Sequence, residues 1–177
     1  MIFIAAGYVD FPLIAFHFKK MNLMSDASIP VLYSVAMAAE GIAALLSGKI
    51  FDKWGMKTMI YITVISLFFA PMVFLGGFTW AIFGMIVWGI GMGAQESVLK
   101  AAVAELIPAY KRGTAFGVFN AGFGIFWFLG SVALGYLYDF SIPLLIIFSM
   151  GMQAIAVIIF LILLYKSKNN KNISFSG

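Results

Sequence analysis

Charged residues are scarce in this 177-residue sequence, yet several lie inside long apolar segments. Asp10 and Glu40 are isolated carboxylates, and Glu96 precedes Lys100 by four residues. A charged side chain at bilayer depth costs about 3 kcal/mol on insertion scales, so such residues usually line a cavity or a proton or ion pathway. The chemistry that these side chains offer is cation binding or proton exchange.

Each of these residues also has a purely structural interpretation. Glu96 and Lys100 are one helical turn apart and can neutralise each other as an i, i+4 pair, or they can contact a solute or form a gate. Glu40 and Asp10 have no partner close in sequence. Each either exchanges a proton or binds a cation, or forms a hydrogen bond to a neighbouring helix or to a partner outside this chain. We expect His17, beside a lysine pair near a membrane interface, to have a snorkelling surface role.

Other reaction chemistries have no support in the sequence. The absence of cysteine excludes disulfides and thiolate chemistry. No H-E-x-x-H, G-x-S-x-G or G-x-x-x-x-G-K-[ST] pattern occurs, so we expect no enzyme activity, no cofactor and no metal. The glycine run at 89–93 lies in an apolar segment and indicates close helix packing, not a nucleotide loop.

The apolar composition requires a membrane. Apolar residues make up 63% of the chain and the mean hydropathy is +1.05, whereas soluble domains are roughly 45–50% apolar. A span needs about 20 apolar residues, which predicts an all-α membrane protein and a single transmembrane domain. Prolines 12 and 71 predict kinks. The six predicted helices cover about 2–18, 30–47, 59–75, 79–106, 114–136 and 142–165, followed by a basic tail at 166–177.

Basic residues predict how the chain is oriented. One side of the predicted bundle carries eight of them, and the other carries only Lys19 and Lys20. By the positive-inside rule the richer side is cytoplasmic, which predicts a multi-pass protein of the cytoplasmic membrane with both termini inside. These positions explain the basic residues as topology anchors, so we expect no nucleic-acid partner. The eight are Lys49, Lys53, Lys57, Lys111, Arg112, Lys166, Lys168 and Lys171.

Polar residues and a repeat organise the six helices into two triplets. LLSGKIFD in the second helix and VALGYLYD in the fifth share G-x-x-x-D, and both Gly48–Gly135 and Asp52–Asp139 are 87 residues apart. Three helices separate the copies, which predicts a 3+3 inverted repeat. Polar positions fall on helices one, two, four and five, whereas the third of each triplet has no charge. The candidate cavity or coupling residues are Asp10, Glu40, Gln95, Glu96, Lys100 and Asn120.

Two motifs resemble those of the major facilitator superfamily (MFS). The stretch GKIFDKWGMKT matches the signature hairpin G-x-x-x-D-[RK]-x-G-x-[RK] of that superfamily, and PAYKRGTAFG resembles the loop and helix start found two helices later in the same half-fold. The first match comprises Gly48, Asp52, Lys53, Gly55 and Lys57, and the second comprises Pro108, Arg112, Gly113, Ala115 and Gly117. The chain resembles the C-terminal six-helix half of a prokaryotic member, beginning inside the family's seventh helix.

The resemblance implies secondary-active transport of a small solute by alternating access, with a proton or cation as a possible co-substrate. Family members bind solute between two six-helix halves, so the second half would come from another chain or a second copy, unless the sequence is a truncated product. The alternative is a non-transporting membrane subunit or the relic of a transporter gene. In the family the hairpin acts as a latch between conformations, and the alternative role for it here is topology anchoring.

Overall fold

The computed structural model describes residues 2–174, and it describes side chains for residues 2–104 and 107–166. Eight α-helices and one short 3-10 helix, Ala109–Lys111, make up the described chain. The eight are α1 (Ile2–Gly7), α2 (Phe11–Lys20), α3 (Ser28–Trp54), α4 (Lys57–Ser66), α5 (Phe69–Leu75), α6 (Phe78–Leu106), α7 (Arg112–Phe140) and α8 (Ile142–Ser174).

These helices form six segments that are long and apolar enough to cross a membrane. We number them in chain order: α1 and α2 form span 1, α3 is span 2, α4 and α5 form span 3, and α6, α7 and α8 are spans 4, 5 and 6. The described residues contain no strand. The prediction of an all-α, six-span membrane protein is therefore confirmed.

Prolines interrupt spans 1 and 3, as predicted. Pro12 has no N–H, so the carbonyl of Tyr8 loses its helical partner and the helix is broken between Gly7 and Phe11. Pro71 affects the carbonyl of Leu67 in the same way, and residues 67–68 separate α4 from α5. Both interruptions lie within apolar spans, where the freed backbone groups need partners inside the protein.

Glycines allow the spans to cross closely. A Cβ added to Gly89 would overlap the backbone of Ala36, and one added to Gly93 would overlap the backbone of Glu40, so α6 lies directly on α3. Gly130 of α7 lies in the same way on Ala6 of α1. The packing role predicted for the 89–93 run is confirmed, and it follows the general use of small residues between membrane helices.

The contacts between spans repeat with inverted order. In the repeat, spans 1, 2 and 3 correspond to spans 4, 5 and 6. Span 2 packs on span 4, and the corresponding pair, span 5 and span 1, also packs together. The contact between spans 3 and 4 likewise corresponds to that between spans 6 and 1. This pattern is that of the predicted 3+3 inverted repeat.

Several helices extend beyond the predicted ranges. Helix α3 continues to Trp54, so the predicted hairpin at 48–58 is mostly helix, and only Gly55 and Met56 form its turn. Gly55 has φ +55°, a conformation that residues with a Cβ rarely adopt. Helix α8 continues through Ser174, so residues 166–174 of the predicted tail prolong the helix. The side chains of Lys168 and Lys171, and residues 175–177, lie outside the described part.

Candidate functional site

Asp10 lies at the break in span 1 and is held by span 5. The Trp127 indole N–H donates to one carboxylate oxygen, and the Ser131 hydroxyl lies within hydrogen-bond distance of the other. Trp127 and Ser131 are four residues apart and therefore lie on one face of α7. Pro12 ends the preceding helix and so places Asp10 at the break in span 1. The break thus turns a carboxylate toward two donors.

Side chains from two other spans satisfy the backbone that the break exposes. The Trp88 indole N–H donates to the Val9 carbonyl over 2.8 Å, and the Ser149 hydroxyl donates to the Gly7 carbonyl over 2.6 Å. The Tyr8 hydroxyl donates in return to the Trp88 carbonyl over 2.5 Å. The break is therefore braced from spans 4 and 6, as irregular backbone in a membrane requires.

A cleft of about 370 Å³ opens in front of Asp10. Apart from Asp10, its charged residue is Glu96, and none of the basic side chains that the structure describes lines it. Aromatic rings form much of its remaining wall. The lining residues are Asp10, Met92, Glu96, Phe123, Gly124, Trp127, Phe128 and Ser131. A cleft with two carboxylates and aromatic faces is suited to a cationic or hydrogen-bond-donating group.

A second cleft, of about 410 Å³, lies between α3 and α6. It brings Glu40, Glu96 and Lys100 together, and the Lys100 ammonium donates to the Glu96 carboxylate over 3.0 Å. Both members of this ion pair are about half exposed. The Oε2 atom of Glu40 is buried and has no hydrogen-bond partner among the described residues. The cleft therefore holds two carboxylates and one ammonium.

The two clefts are equivalent positions of the inverted repeat. Five lining residues of one pair with five of the other at the 87-residue interval found in the sequence. Met37, Glu40, Gly41, Ala44 and Ser97 of the second cleft correspond to Gly124, Trp127, Phe128, Ser131 and Asp10 of the first. The carboxylate lies on span 1 in one cleft and on span 2 in the other, and Glu96 lines both.

Two further predicted residues lie apart from the clefts. Gln95 is buried and donates its amide to the Ser66 hydroxyl of span 3 over 3.3 Å, so it points into the bundle. Asn120 is exposed on α7 and lines neither cleft. In the described residues, no three carboxylates and histidines are grouped closely enough to hold a metal ion.

The surface position expected for His17 is wrong. Its side chain is only 1% exposed, and its Nδ1 atom lies 3.0 Å from the Tyr138 hydroxyl. The Phe74 ring packs against it, with centroids 4.8 Å apart. His17 turns inward because α2 places it three residues before the end of the helix, on the side that faces α5 and α7, whereas the neighbouring lysines are exposed.

The motif residues lie at one end of the bundle. Asp52, Lys53 and Lys57 are exposed, and Asp52 makes no hydrogen bond or ion pair with the described residues. In the second motif, Pro108 immediately precedes the short 3-10 helix, and Arg112 begins α7. The Arg112 Nε–H donates to the Ile107 carbonyl over 3.1 Å and so satisfies the end of α6. Gly113 and Gly117 follow on α7 and are exposed.

Open glycines distinguish spans 2 and 5 from span 4. A Cβ added at these positions would meet no atom within 4 Å, or, at Gly48, only the Ser97 hydroxyl at 3.7 Å. By contrast, a Cβ on any of the span 4 glycines would collide with a neighbour. On these two spans the open glycines are Gly41 and Gly48 on α3 and Gly113, Gly117, Gly122, Gly124 and Gly135 on α7; Gly151 on α8 is open as well. Both helices therefore present small residues toward empty space.

Sequence reasoning does not single out Trp127 or Trp88, because aromatic residues are common on lipid-facing surfaces. One signal could have identified Trp127. It is the repeat equivalent of Glu40, 87 residues away, and so occupies the position of a candidate charged residue. No such signal exists for Trp88, whose partner is a backbone carbonyl.

Comparisons with known proteins identify relatives, one of which is a transporter by name. The niacin transporter of Acinetobacter baylyi is 28% identical over 103 residues, which are 57% of this chain and 24% of that protein. The class H tetracycline resistance protein of Pasteurella multocida is 27% identical over 147 residues, or 80% of this chain and 36% of that protein. No solved structure matches the chain.

A stronger match is an uncharacterized protein of Mycobacterium tuberculosis, 35% identical over 152 residues, which are 86% of this chain and 37% of that protein. The chain thus spans well under half the length of the curated relatives that it matches. The family model described as Major Facilitator Superfamily matches residues 1–176. With six spans arranged as an inverted repeat and a family match over nearly its whole length, this integral multi-pass membrane protein belongs to the Major Facilitator Superfamily.

Proposed function

We propose that this chain forms one wall of a pathway that moves a small solute across the cytoplasmic membrane by alternating access. The observation that carries the proposal is the pair of equivalent clefts. Both are lined by residues of spans 1, 2, 4 or 5, and both contain carboxylates that belong to apolar spans. Charged residues in such spans are costly, and a solute or ion pathway explains their presence.

A second six-helix half completes the pathway. Spans 2 and 5 are the two least buried of the six spans, and span 6 comes next. The open glycines of spans 2 and 5 support close approach of other helices. On α3 the residues Gly41, Leu45, Gly48 and Asp52 follow one another at i, i+4, i+7 and i+11 and so form one stripe. Asp52 ends this stripe, which supports its role as a latch to the second half.

Glu40 is the residue that we propose for proton or cation coupling. Its buried, unpartnered oxygen faces a cleft that also holds Glu96 and Lys100. Lys100 is paired with Glu96, so Glu40 has no ion-pair partner of its own within the described part of the chain. A proton or a cationic group of the solute would supply the missing charge. The lysine-bearing end at the hairpin is cytoplasmic in this proposal, which follows the positive-inside rule.

Flux measurements in proteoliposomes test the function. The names of the two relatives above set the first panel of solutes, niacin and tetracycline. We expect a proton movement that depends on one solute, and we expect Glu40→Gln to abolish that movement while solute exchange continues. Asp52→Asn should slow net flux without loss of folded protein. Absence of flux from the purified, fully assembled complex for every solute would contradict the proposal.

Site-specific cross-linking tests the second half, because the chain has no cysteine of its own. Single cysteines at Gly41 and Gly117, labelled with benzophenone maleimide, should capture a neighbouring six-helix half on illumination in native membranes. Ile158, exposed on α8, provides the control position that should capture only lipid. Capture from Ile158 but from neither glycine position would contradict the assignment of spans 2 and 5.

A further inference from the structure

An apolar groove of about 480 Å³ runs between spans 2, 3 and 4 and takes no part in the clefts described above. Two hydroxyl groups in its wall are already used, because Ser47 donates to the Ala44 carbonyl and Thr58 to the Ile50 carbonyl. Its walls therefore offer almost entirely carbon surface. The lining residues are Ala39, Ile42, Ala43, Leu46, Ser47, Ile50, Trp54, Thr58, Tyr61, Ile62, Ile65, Ile90 and Ala94.

The groove lies on the opposite side of α3 from the open glycines. Leu46, Ile50 and Trp54 follow one another at i, i+4 and i+8, on a different stripe from Gly41 and Gly48. A second half docked on the glycine stripe would leave the groove facing lipid. From Ala39 to Ile50 the helix rises about 16 Å at 1.5 Å per residue. This length is close to one leaflet of a hydrocarbon core about 30 Å thick.

Two basic side chains lie at one end of the groove. Lys53 lies three residues after the groove residue Ile50 on α3, and Lys57 lies four residues before Tyr61 on α4, so both belong to the groove side of their helices. Asp52 lies on the glycine stripe instead. The rings of Trp54 and Tyr61 meet edge to face at this end, with centroids 5.8 Å apart. Aromatic rings of this kind favour the headgroup level of a membrane.

From this arrangement we infer a binding site for one anionic phospholipid. One acyl chain occupies the groove, and the ammonium groups of Lys53 and Lys57 hold the phosphate at the level of the Trp54–Tyr61 pair. The two parts of the site match the two parts of the molecule, since the groove offers carbon surface along one leaflet and the lysines supply positive charge where the headgroup lies.

Lipid retention tests the site without any transport assay. The protein is reconstituted in nanodiscs of equal parts phosphatidylglycerol and phosphatidylcholine, transferred to detergent and washed. The lipid that remains bound is then identified by mass spectrometry. We expect about one phosphatidylglycerol per chain, enriched over phosphatidylcholine. Replacing both lysines, in Lys53→Gln/Lys57→Gln, should reduce the enrichment at least about fivefold, the effect expected for loss of a single lysine contact to anionic lipid.

Two controls separate this site from general attraction of lipid to the protein. Lys19→Gln/Lys20→Gln removes the same charge at the other end of the bundle and should leave the retained lipid unchanged. Ala43→Phe fills the groove and should lower retention of phosphatidylglycerol while the lysines remain. Equal retention of both lipids by the unmodified chain would overturn the inference, as would unchanged enrichment in a folded, monodisperse Lys53→Gln/Lys57→Gln variant.

Discussion

Removal of the Asp10 carboxylate should loosen span 1 from span 5. In Asp10→Ala, the Trp127 indole loses its acceptor, whereas the Ser131 hydroxyl keeps the Trp127 carbonyl at 2.9 Å as an alternative. One charge-assisted hydrogen bond is therefore lost outright and a second is replaced. Bonds to charged groups contribute about 1.5–3 kcal/mol, but polar contacts between membrane helices average about 0.6 and reach about 1.7 kcal/mol. We expect a loss of about 2 kcal/mol in the free energy of unfolding.

Asp10→Asn is the matched control, because it keeps an acceptor for the indole and removes the charge. Its cost should be about half that of the alanine variant. Combining Asp10→Ala with Trp127→Phe in a double-mutant cycle should give a coupling energy of about 1 kcal/mol. Equilibrium unfolding in mixed dodecyl maltoside and SDS micelles, followed by far-ultraviolet circular dichroism, supplies all four values. A coupling energy near zero would show that the hydrogen bond between Asp10 and Trp127 does not hold spans 1 and 5 together.

Three further predictions concern packing and the braced break. Gly93→Leu should leave little monodisperse protein in size-exclusion chromatography, because α3 occupies the space of the new side chain, whereas Gly117→Leu on the open surface should purify normally; equal yields would contradict the packing argument. Trp88→Phe removes the donor to the broken span and should lower the free energy of unfolding by about 1 kcal/mol, a loss that an unaltered unfolding curve would exclude. Tyr138→Phe should cost a similar amount, about 1 kcal/mol, by leaving the buried imidazole of His17 unpaired, and a stability equal to that of the unmodified chain would show that this hydrogen bond contributes nothing.

Features that depend on local sequence could be predicted, and those that depend on distant partners could not. Apolar length determines the six spans, and a missing N–H at Pro12 or Pro71 determines where a span breaks. The 87-residue interval between the two G-x-x-x-D segments already predicted the inverted repeat. His17 shows the limit of such reasoning, because its neighbours in sequence are charged and exposed, but its neighbours in space are Phe74 and Tyr138.

The candidate site shows the same division. Glu40, Glu96 and Lys100 could be selected because charges are rare in apolar segments, and their spacing on each helix follows from the helical period. The partners of Asp10 could not be selected, since they lie 117 and 121 residues away along the chain. Which side chain faces which depends on the crossing of spans 1 and 5, and no local pattern encodes that crossing.

The two interruptions of the spans make the halves of the repeat mechanically unequal. Both prolines lie in the first triplet, and at the 87-residue interval Leu99 and Ile158 replace them in helices that run without a break. Spans 4 and 6 are therefore continuous and stiff, whereas spans 1 and 3 each contain a break at which the helix can bend. Bending is easiest where the i to i−4 hydrogen bonds are missing. Any rearrangement of the bundle would accordingly bend the helices of the first triplet. The Asp10 carboxylate would move with it, because Asp10 lies at the break in span 1.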